Sequence, residues 1–391
     1  MDFNQNNHED DPRRQPPVGY DYPPATQLNI IRVIEFTKLV ETSTLASQFS
    51  PEELEELLEP QEHESVPPDD PDLMLSLRNY MTLMGSSQDM YEDIRQNVRL
   101  YCPGINPLSF YQVEHRARNL SGLITWEHHM CIKSCLAFTG PYANLDRCPD
   151  CRESRYKEKD LLESDGLRKA PRQVCTTFPV GRQLQALRKN PQTAKDMAYL
   201  WVKTLELLRG RTESGNPPDI LNVILCGKSY MDLVDDKKIG EFNSVLMLSI
   251  DGAQLYESKK SNCWIYLWIV VNLAPDKHYK IRNILLGGVI PGPEHPGDLD
   301  SFLFPGLAHV SALQCKGLPI WDSYRRVRVD TLVYILLVLA DAITMYYLSG
   351  SVDHHGRKGC WLLCGLIGRN KHQDNWEQLF SPFYHSFRNC L

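Results

Sequence analysis

A chain of 391 residues with a 42% hydrophobic share has room for two or three domains and has the composition of a globular protein. Its net charge of −7 is unevenly spread. Residues 1–72 hold 17 Asp/Glu and 4 Lys/Arg, so the remaining chain is net +6, compatible with nucleic acid without demanding it. Residues 1–24 are polar and Pro/Asp-rich, without the apolar stretch of a secretory signal, so the twelve cysteines are expected as unpaired or metal-bound thiols in a reducing compartment.

Residues 1–28 read as a disordered acidic tail. A helical N-terminal region, 29–101, follows: helical spacing over 28–49, a short acidic helix over 51–58 with proline at its start, an acidic, proline-containing linker over 59–71, and helices over 72–84 and 88–101. Residues 102–160 change character, with clustered cysteines and loop residues. A connector over 161–217 is basic and then helical. Residues 152–189 hold ten Lys/Arg against five Asp/Glu, and 190–209 have helical spacing. From residue 218 the texture is β-rich: strands over 245–250, 263–273 and 281–290, a helix over 299–315 and a strand over 329–340. The apolar run 331–348 approaches membrane-spanning length, but Asp341 lies inside it, and a core strand running into a helix fits better.

Two constellations carry chemistry. Cys131-Ile132-Lys133-Ser134-Cys135 is followed by Cys148-Pro149-Asp150-Cys151. Two close pairs across a short loop provide the thiolates of a tetrahedral zinc site, with Pro149 stiffening one turn and Gly140-Pro141 bending the loop. Four protein thiolates leave no open coordination position, so this Zn²⁺ is expected to be structural, with His128 and His129 as bystanders. The alternative is four buried or free thiols. The second constellation is a pair of acids at strand ends: Asp251 after Leu246–Ile250, and Asp341 after Leu336–Ala340. Carboxylates on neighbouring strands can share Mg²⁺ or Mn²⁺, and such ions activate water and stabilise the leaving oxygen in phosphodiester cleavage. The bland alternative is a turn or helix-cap residue.

His355 with Cys360 and Cys364 can form a second zinc site or a metal-free turn, and the two readings stay open. Cys102, Cys175, Cys226, Cys263, Cys315 and Cys390 read as packing or incidental thiols.

Ser249-Ile250-Asp251-Gly252-Ala253-Gln254-Leu255-Tyr256, Trp264-Ile265-Tyr266, Asn272-Leu273-Ala274-Pro275, Ile290-Pro291-Gly292-Pro293 and Leu299-Asp300-Ser301-Phe302-Leu303 occur in that order. With Cys148-Pro149-Asp150-Cys151, Arg155-Tyr156, His355-Gly356 and Gly359-Cys360, they resemble the transposases of CACTA (En/Spm-type) elements over residues 120–369. The resemblance implies an α/β fold: a partial ribonuclease-H-like mixed sheet over 218–374, preceded by the zinc-binding module of 102–160 and the helical N-terminal region. It implies DDE/D-class nucleotidyl transfer with Asp251 and Asp341 as the first two acids on Mg²⁺ or Mn²⁺. The partner it implies is DNA at transposon ends, in the nucleus (or the cytoplasm, without import), with no membrane and with homo-oligomerisation left open. Ala342-Ile343-Thr344 departs from the Pro/Gly turn usual after the second acid, and residues 375–391 read as a divergent tail. The family's third acid is expected beyond this chain, which leaves it inactive; Glu377, thirty-six positions after Asp341, is the substitute to weigh against a solvated tail. The rival reading is a non-catalytic zinc and DNA-binding protein derived from a transposase.

Overall fold

The computed structural model describes residues 26–60, 70–214, 225, 227–254, 262–292, 294–341, 344, 345 and 348. Its frame is a six-stranded mixed sheet. The strands in chain order are β1 (Trp126–His129), β2 (Val174–Thr177), β3 (Ser244–Gln254), β4 (Asn262–Val270) and β5 (Ile284–Pro291), then β6 (Leu318–Asp322), β7 (Val327–Thr331) and β8 (Val333–Leu339). The sheet order is β1-β2-β5-β4-β3-β8, and β6 and β7 form a separate hairpin. β3, β4 and β5 make an antiparallel meander. The chain then crosses through the Leu299–Lys316 helix and the hairpin, and returns as β8, parallel to β3.

The expected order of three strands, a helix and a strand is therefore present, with altered boundaries. Residues 281–283 are a 3₁₀ turn before β5, and the apolar run 329–340 is divided at Leu332 between β7 and β8. The expected helix over 28–49 ends at Glu41, and the expected helix over 190–209 is two helices, Pro191–Asp196 and Tyr199–Ser214. The Leu200 amide is turned out of a continuous helix to donate to the Asn272 carbonyl at 3.2 Å, a tertiary contact that no local pattern announces. Among the described residues no helix is long and apolar enough to cross a membrane.

Both faces of the sheet are covered over most of its length, in keeping with its near-continuously apolar strands, while Leu337, Val338 and Leu339 at the end of β8 are exposed. Alternation sorts their side chains. Leu246, Leu248 and Ile250 of β3 and Trp264, Tyr266, Trp268 and Val270 of β4 join the core beneath the Leu299–Lys316 and Val180–Lys189 helices. Val245, Met247 and Ile269 face a second core, closed by Leu200, Tyr230, Val234 and Ile239. The cysteine segment is not a separate appendage, because β1 and β2, on either side of it, extend the same sheet from β5.

N-terminal elements close the first core. Ser50 caps the Pro51–Leu58 helix with a reciprocal Glu53 contact, and Pro51 occupies the first turn, where its missing N–H costs nothing. Leu45, Phe49 and Leu57 are buried against the sheet's helices. Farther out, the Pro71–Thr82, Gln88–Tyr101 and Phe110–Ser121 helices pack on one another through Tyr80, Tyr91 and Phe110.

Three features pin the core. The Tyr266 ring is bordered by Gly287, Gly288 and Gly306: a Cβ at either of the first two would lie 2.3 Å from a ring carbon, and one at Gly306 2.7 Å from the hydroxyl. Arg188 and Asp322, both fully buried, pair at 2.8 Å and tie the Val180–Lys189 helix to the hairpin. Removing either partner of such a pair typically costs about 3–5 kcal/mol, because a bare charge stays buried. Finally, buried His309 accepts from the Gly181 amide at Nε2 (3.1 Å), so its proton sits on Nδ1, which faces Gln48 Oε1 at 2.9 Å.

Gly288→Ala is expected to lower stability by about 1–3 kcal/mol, the usual range for overpacking. Gly85→Ala, where an added Cβ meets nothing within 4 Å, is the neutral control, and urea denaturation separates the two.

Burial pushes the folded pKa of His309 down to about 3 from an ordinary 6.5. Between these values the unfolded chain binds a proton that the folded chain does not. The contribution of His309 is thus intact above about pH 6.5 and is lost as pH falls, with a slope approaching ~1.4 kcal/mol per pH unit. Urea midpoints measured from pH 7.5 to 5 should fall less steeply in His309→Phe than in the parent.

Candidate metal centre and acid pair

The four cysteines converge. One sulfur from each of Cys131, Cys135, Cys148 and Cys151 lies within 4.8 Å of the others, and Cys131 and Cys151 approach to 3.4 Å. Zinc–thiolate bonds of about 2.3 Å in a tetrahedron set sulfurs roughly 3.8 Å apart, so closure onto one ion needs only small side-chain movement. Among the described residues this is the one cluster of three or more His, Cys, Asp or Glu placed to hold a metal ion. His128 and His129 are not in it: His129 Nδ1 accepts from Arg155 Nε at 2.8 Å, and His128 is half-buried in β1.

Local backbone makes the convergence. Each pair sits on a tight turn followed by, or containing, a left-handed residue: Ser134 at φ 56° within the first, Arg152 at φ 64° after the second. In the first turn the Ser134 amide donates to the Cys131 carbonyl at 2.9 Å, and the Lys133 amide points to Cys131 Sγ at 3.4 Å. In the second the Arg152 amide donates to the Cys148 carbonyl at 3.0 Å. Glu153 joins the turns from outside, pairing with Lys133 at 2.9 Å and Arg172 at 2.7 Å.

The electrostatics suit a cation. Burial pushes the Cys148 thiol up to about 11 and the Cys135 thiol further above its ordinary range. Burial opposes ionisation of Cys151 as well, but the Glu153 amide and the neighbouring thiols outweigh it and hold that thiol below its usual value. Four thiolates in so small a space need a positive ion to offset their repulsion.

The cluster is docked on the N-terminus of the Leu299–Lys316 helix. Gly297 and Asp298 amides donate to the Ser134 and Cys135 carbonyls at 2.9 and 2.7 Å. Ser301 Oγ accepts from the Ala137 amide at 2.9 Å, Thr139 Oγ1 donates to the Ser301 carbonyl, and Tyr142 donates to Asp298 Oδ2 at 2.7 Å. Gly297 is required by this approach, since a Cβ there would lie 2.7 Å from the Cys135 carbonyl oxygen. These residues were not singled out as a docking site by sequence; the usable signal was Asp298 three positions before Ser301, a helix-cap spacing.

The acids lie elsewhere on the sheet. Asp251 is on β3, opposite Ile265 of β4. β3 and β8 are parallel with Ser249 beside Leu339, so Asp251 and Asp341 each follow a paired position by two residues. Both acids are exposed. Asp251 Oδ1 accepts from the Gly252 amide at 2.8 Å, while Asp341 Oδ1 accepts from the Thr344 amide at 2.6 Å, a cap-like contact. His355, Cys360, Cys364 and Glu377 lie outside the described residues.

Residues 236–371 match the family described as Transposase family tnp2. The chain thus resembles a transposase family over a segment containing Asp251 and Asp341. The four cysteines fall before the matched segment, although the sheet joins the two regions. No curated protein matches the chain.

Several of the ten basic residues of 152–189 are engaged in packing or ion pairs. Arg155 packs over Phe138 and Tyr156 and donates to the Ala143 and Leu145 carbonyls, Arg172 meets Glu153, Arg182 meets Glu56 and Arg188 meets Asp322.

Elemental analysis of the purified chain is expected to find about one thiophilic divalent ion per molecule. Cys148→Ser should lose it and lower the thermal midpoint by several degrees, consistent with a structural site. Gly297→Ala should weaken ion retention against a chelator while leaving all four ligands in place.

Proposed function

We propose that this is a transposase-derived protein: a ribonuclease-H-like sheet carrying a divalent-metal acid pair, stiffened by a structural Zn²⁺ on Cys131, Cys135, Cys148 and Cys151. The observation that carries this reading is the parallel register of β3 and β8, which sets Asp251 on β3 and Asp341 just past β8 at corresponding positions inside the family-matched segment. Parallel strands run about 4.8 Å apart, so two carboxylates at one level are within reach of a shared ion. An antiparallel meander followed by a helical crossover to a parallel strand supports the ribonuclease-H-like assignment.

The donor set fits a hard cation: two exposed carboxylates, oxygen ligands of the kind that leave the other coordination positions to water and phosphate. When bound, Mg²⁺ or Mn²⁺ would supply a polarised phosphate and an activated water. The chain's own contribution is position. Asp251 is fixed by the β3–β4 ladder, and Asp341 is held at the mouth of β8 by the Thr344 amide. The substrate class of this reading is DNA, encountered at transposon ends, with the nucleus as its compartment, or the cytoplasm without import.

A second reading has its own support. Among the described residues no third His, Cys, Asp or Glu joins the two acids in a metal cluster. A zinc-stabilised DNA-binding protein without strand cleavage fits that arrangement, because loss of one ligand removes the fixed geometry that two-metal chemistry requires.

Mn²⁺ titration of the full chain, read by the paramagnetic signal of the free ion, tests the acid pair. Asp251→Asn and Asp341→Asn should each weaken binding about tenfold or more, and unchanged affinity in both would remove the pair from consideration. Incubation with end-containing DNA then separates the readings. Mn²⁺-dependent strand cleavage that Asp251→Ala abolishes establishes the enzyme, whereas Mn²⁺ binding without cleavage establishes the binder.

A further inference from the structure

The opposite end of the sheet carries a surface that the acid pair does not use. Leu246 of β3 faces Val270 of β4, whereas Asp251 faces Ile265. The connection leaving β4 after Val270 therefore lies five residues along the ladder from Asp251, roughly 17 Å away at ~3.3 Å per residue.

This connection is held rigidly. His278 is buried and points Nε2 at the Val271 and Leu273 carbonyls. The Asn283 side chain donates to the Lys277 carbonyl at 2.9 Å, and its amide donates to the Lys280 carbonyl at 2.8 Å. Lys277 pairs with Asp196 at 2.9 Å and so locks the loop to the Pro191–Asp196 helix.

On that frame four consecutive side chains, Tyr279, Lys280, Ile281 and Arg282, are exposed, with Tyr279 at 60% and Ile281 at 88%. The neighbouring helix adds Lys195, whose ammonium lies 6.0 Å from the ring centroid of Tyr324, itself 48% exposed. The negative charge of Asp196 is met by Lys277, and Asp276 is the exposed acid of the loop. A merely solvated loop has no use for an isoleucine and a tyrosine held outward on a hydrogen-bonded frame. Cations alternating with flat or apolar side chains match the phosphates and base faces of a nucleic-acid strand.

We propose that Lys195, Tyr279, Lys280, Ile281, Arg282 and Tyr324 form a nucleic-acid-binding surface at the end of the sheet remote from Asp251. It grips phosphates through the three cations and meets bases with the aromatic and apolar side chains. The assignment rests on the proposed action on DNA but not on metal at the acid pair. If both sites act on one duplex, the surface holds it about five base steps from the acids, at ~3.4 Å per step.

The test is fluorescence anisotropy of the full chain with a labelled duplex and a labelled single strand, over a salt series without added Mg²⁺ or Mn²⁺. The triple variant K195Q/K280Q/R282Q should bind about ten- to a hundredfold more weakly near 0.1 M salt and flatten the log K against log salt slope by about two to three. Y279A should weaken single-strand binding about tenfold while changing that slope little. The control K159Q/R168Q removes two exposed cations from another surface and should stay within about twofold of the parent. Circular dichroism checks the fold of each variant, and the single changes K280Q and R282Q carry the test if the triple variant unfolds. The proposal is overturned if the parent binds neither strand form, if the control weakens binding as much as the triple variant, or if the triple variant loses binding to phosphatidylserine vesicles while its DNA affinity is unchanged.

Discussion

The structure depends on the docking of the cysteine turns onto the N-terminus of the Leu299–Lys316 helix. A helix start presents amides without intrahelical partners, and a metal-binding turn presents carbonyls that its own tight geometry cannot satisfy. Here the two residues that lead into the helix supply the donors: the Gly297 and Asp298 amides reach the Ser134 and Cys135 carbonyls. The Ser301 hydroxyl is the centre of the joint, accepting from Ala137 and donating to the Asp298 carbonyl at 2.6 Å. Beyond the joint, Phe302, Leu303, Val310 and Leu313 carry the same helix into the sheet's core, so the cysteine site and the strand bearing Asp251 share one rigid strut.

Charge is disposed in two ways along this frame. Inside, it is paired and used for construction, as in Arg188 with Asp322 and in Arg155 wedged among carbonyls and rings. At the sheet's ends it is left toward solvent, as carboxylates beside β8 and as cations beyond β4. A buried ion pair gains little from a ligand, because its field is already satisfied, whereas an exposed charge keeps more of its field available to a partner. The linear density of Lys and Arg in 152–189 therefore overstates the charge that this stretch offers a partner, since Arg155, Arg172, Arg182 and Arg188 are already engaged.

The cysteine cluster was legible because its spacing is itself the geometry: two close pairs and a bend leave few ways to avoid convergence. The β3–β4–β5 meander was legible from apolar runs bounded by turns, and the Pro51–Leu58 helix from its proline and capping acid. The short strands were not. β1, β2 and β6 are four or five residues long, and pairing with distant partners, rather than local pattern, makes them strands. The Phe110–Ser121 helix has little apolar pattern to mark it, being mostly polar and fully burying only Val113, although Ser109 and Gln112 spell its cap. The placement of Asp251 beside the path to Asp341 was half legible: sequence shows an acid after each strand, but parallel register is a property of the pair.

The setting of Tyr266 bears on how such a protein can change over time. Its ring occupies the space that three absent methyl groups would fill, two on β5 and one on the crossing helix. A methyl gained at any one of the three collides with the ring, while a smaller residue at 266 leaves a void that no single methyl repairs. The four positions thus form one unit of inheritance, in which the first step of any replacement is costly whichever residue moves. Drift at this crossing is confined to chains that change strand and helix together, so the geometry joining β4, β5 and the helix should outlast turnover of the surfaces around it.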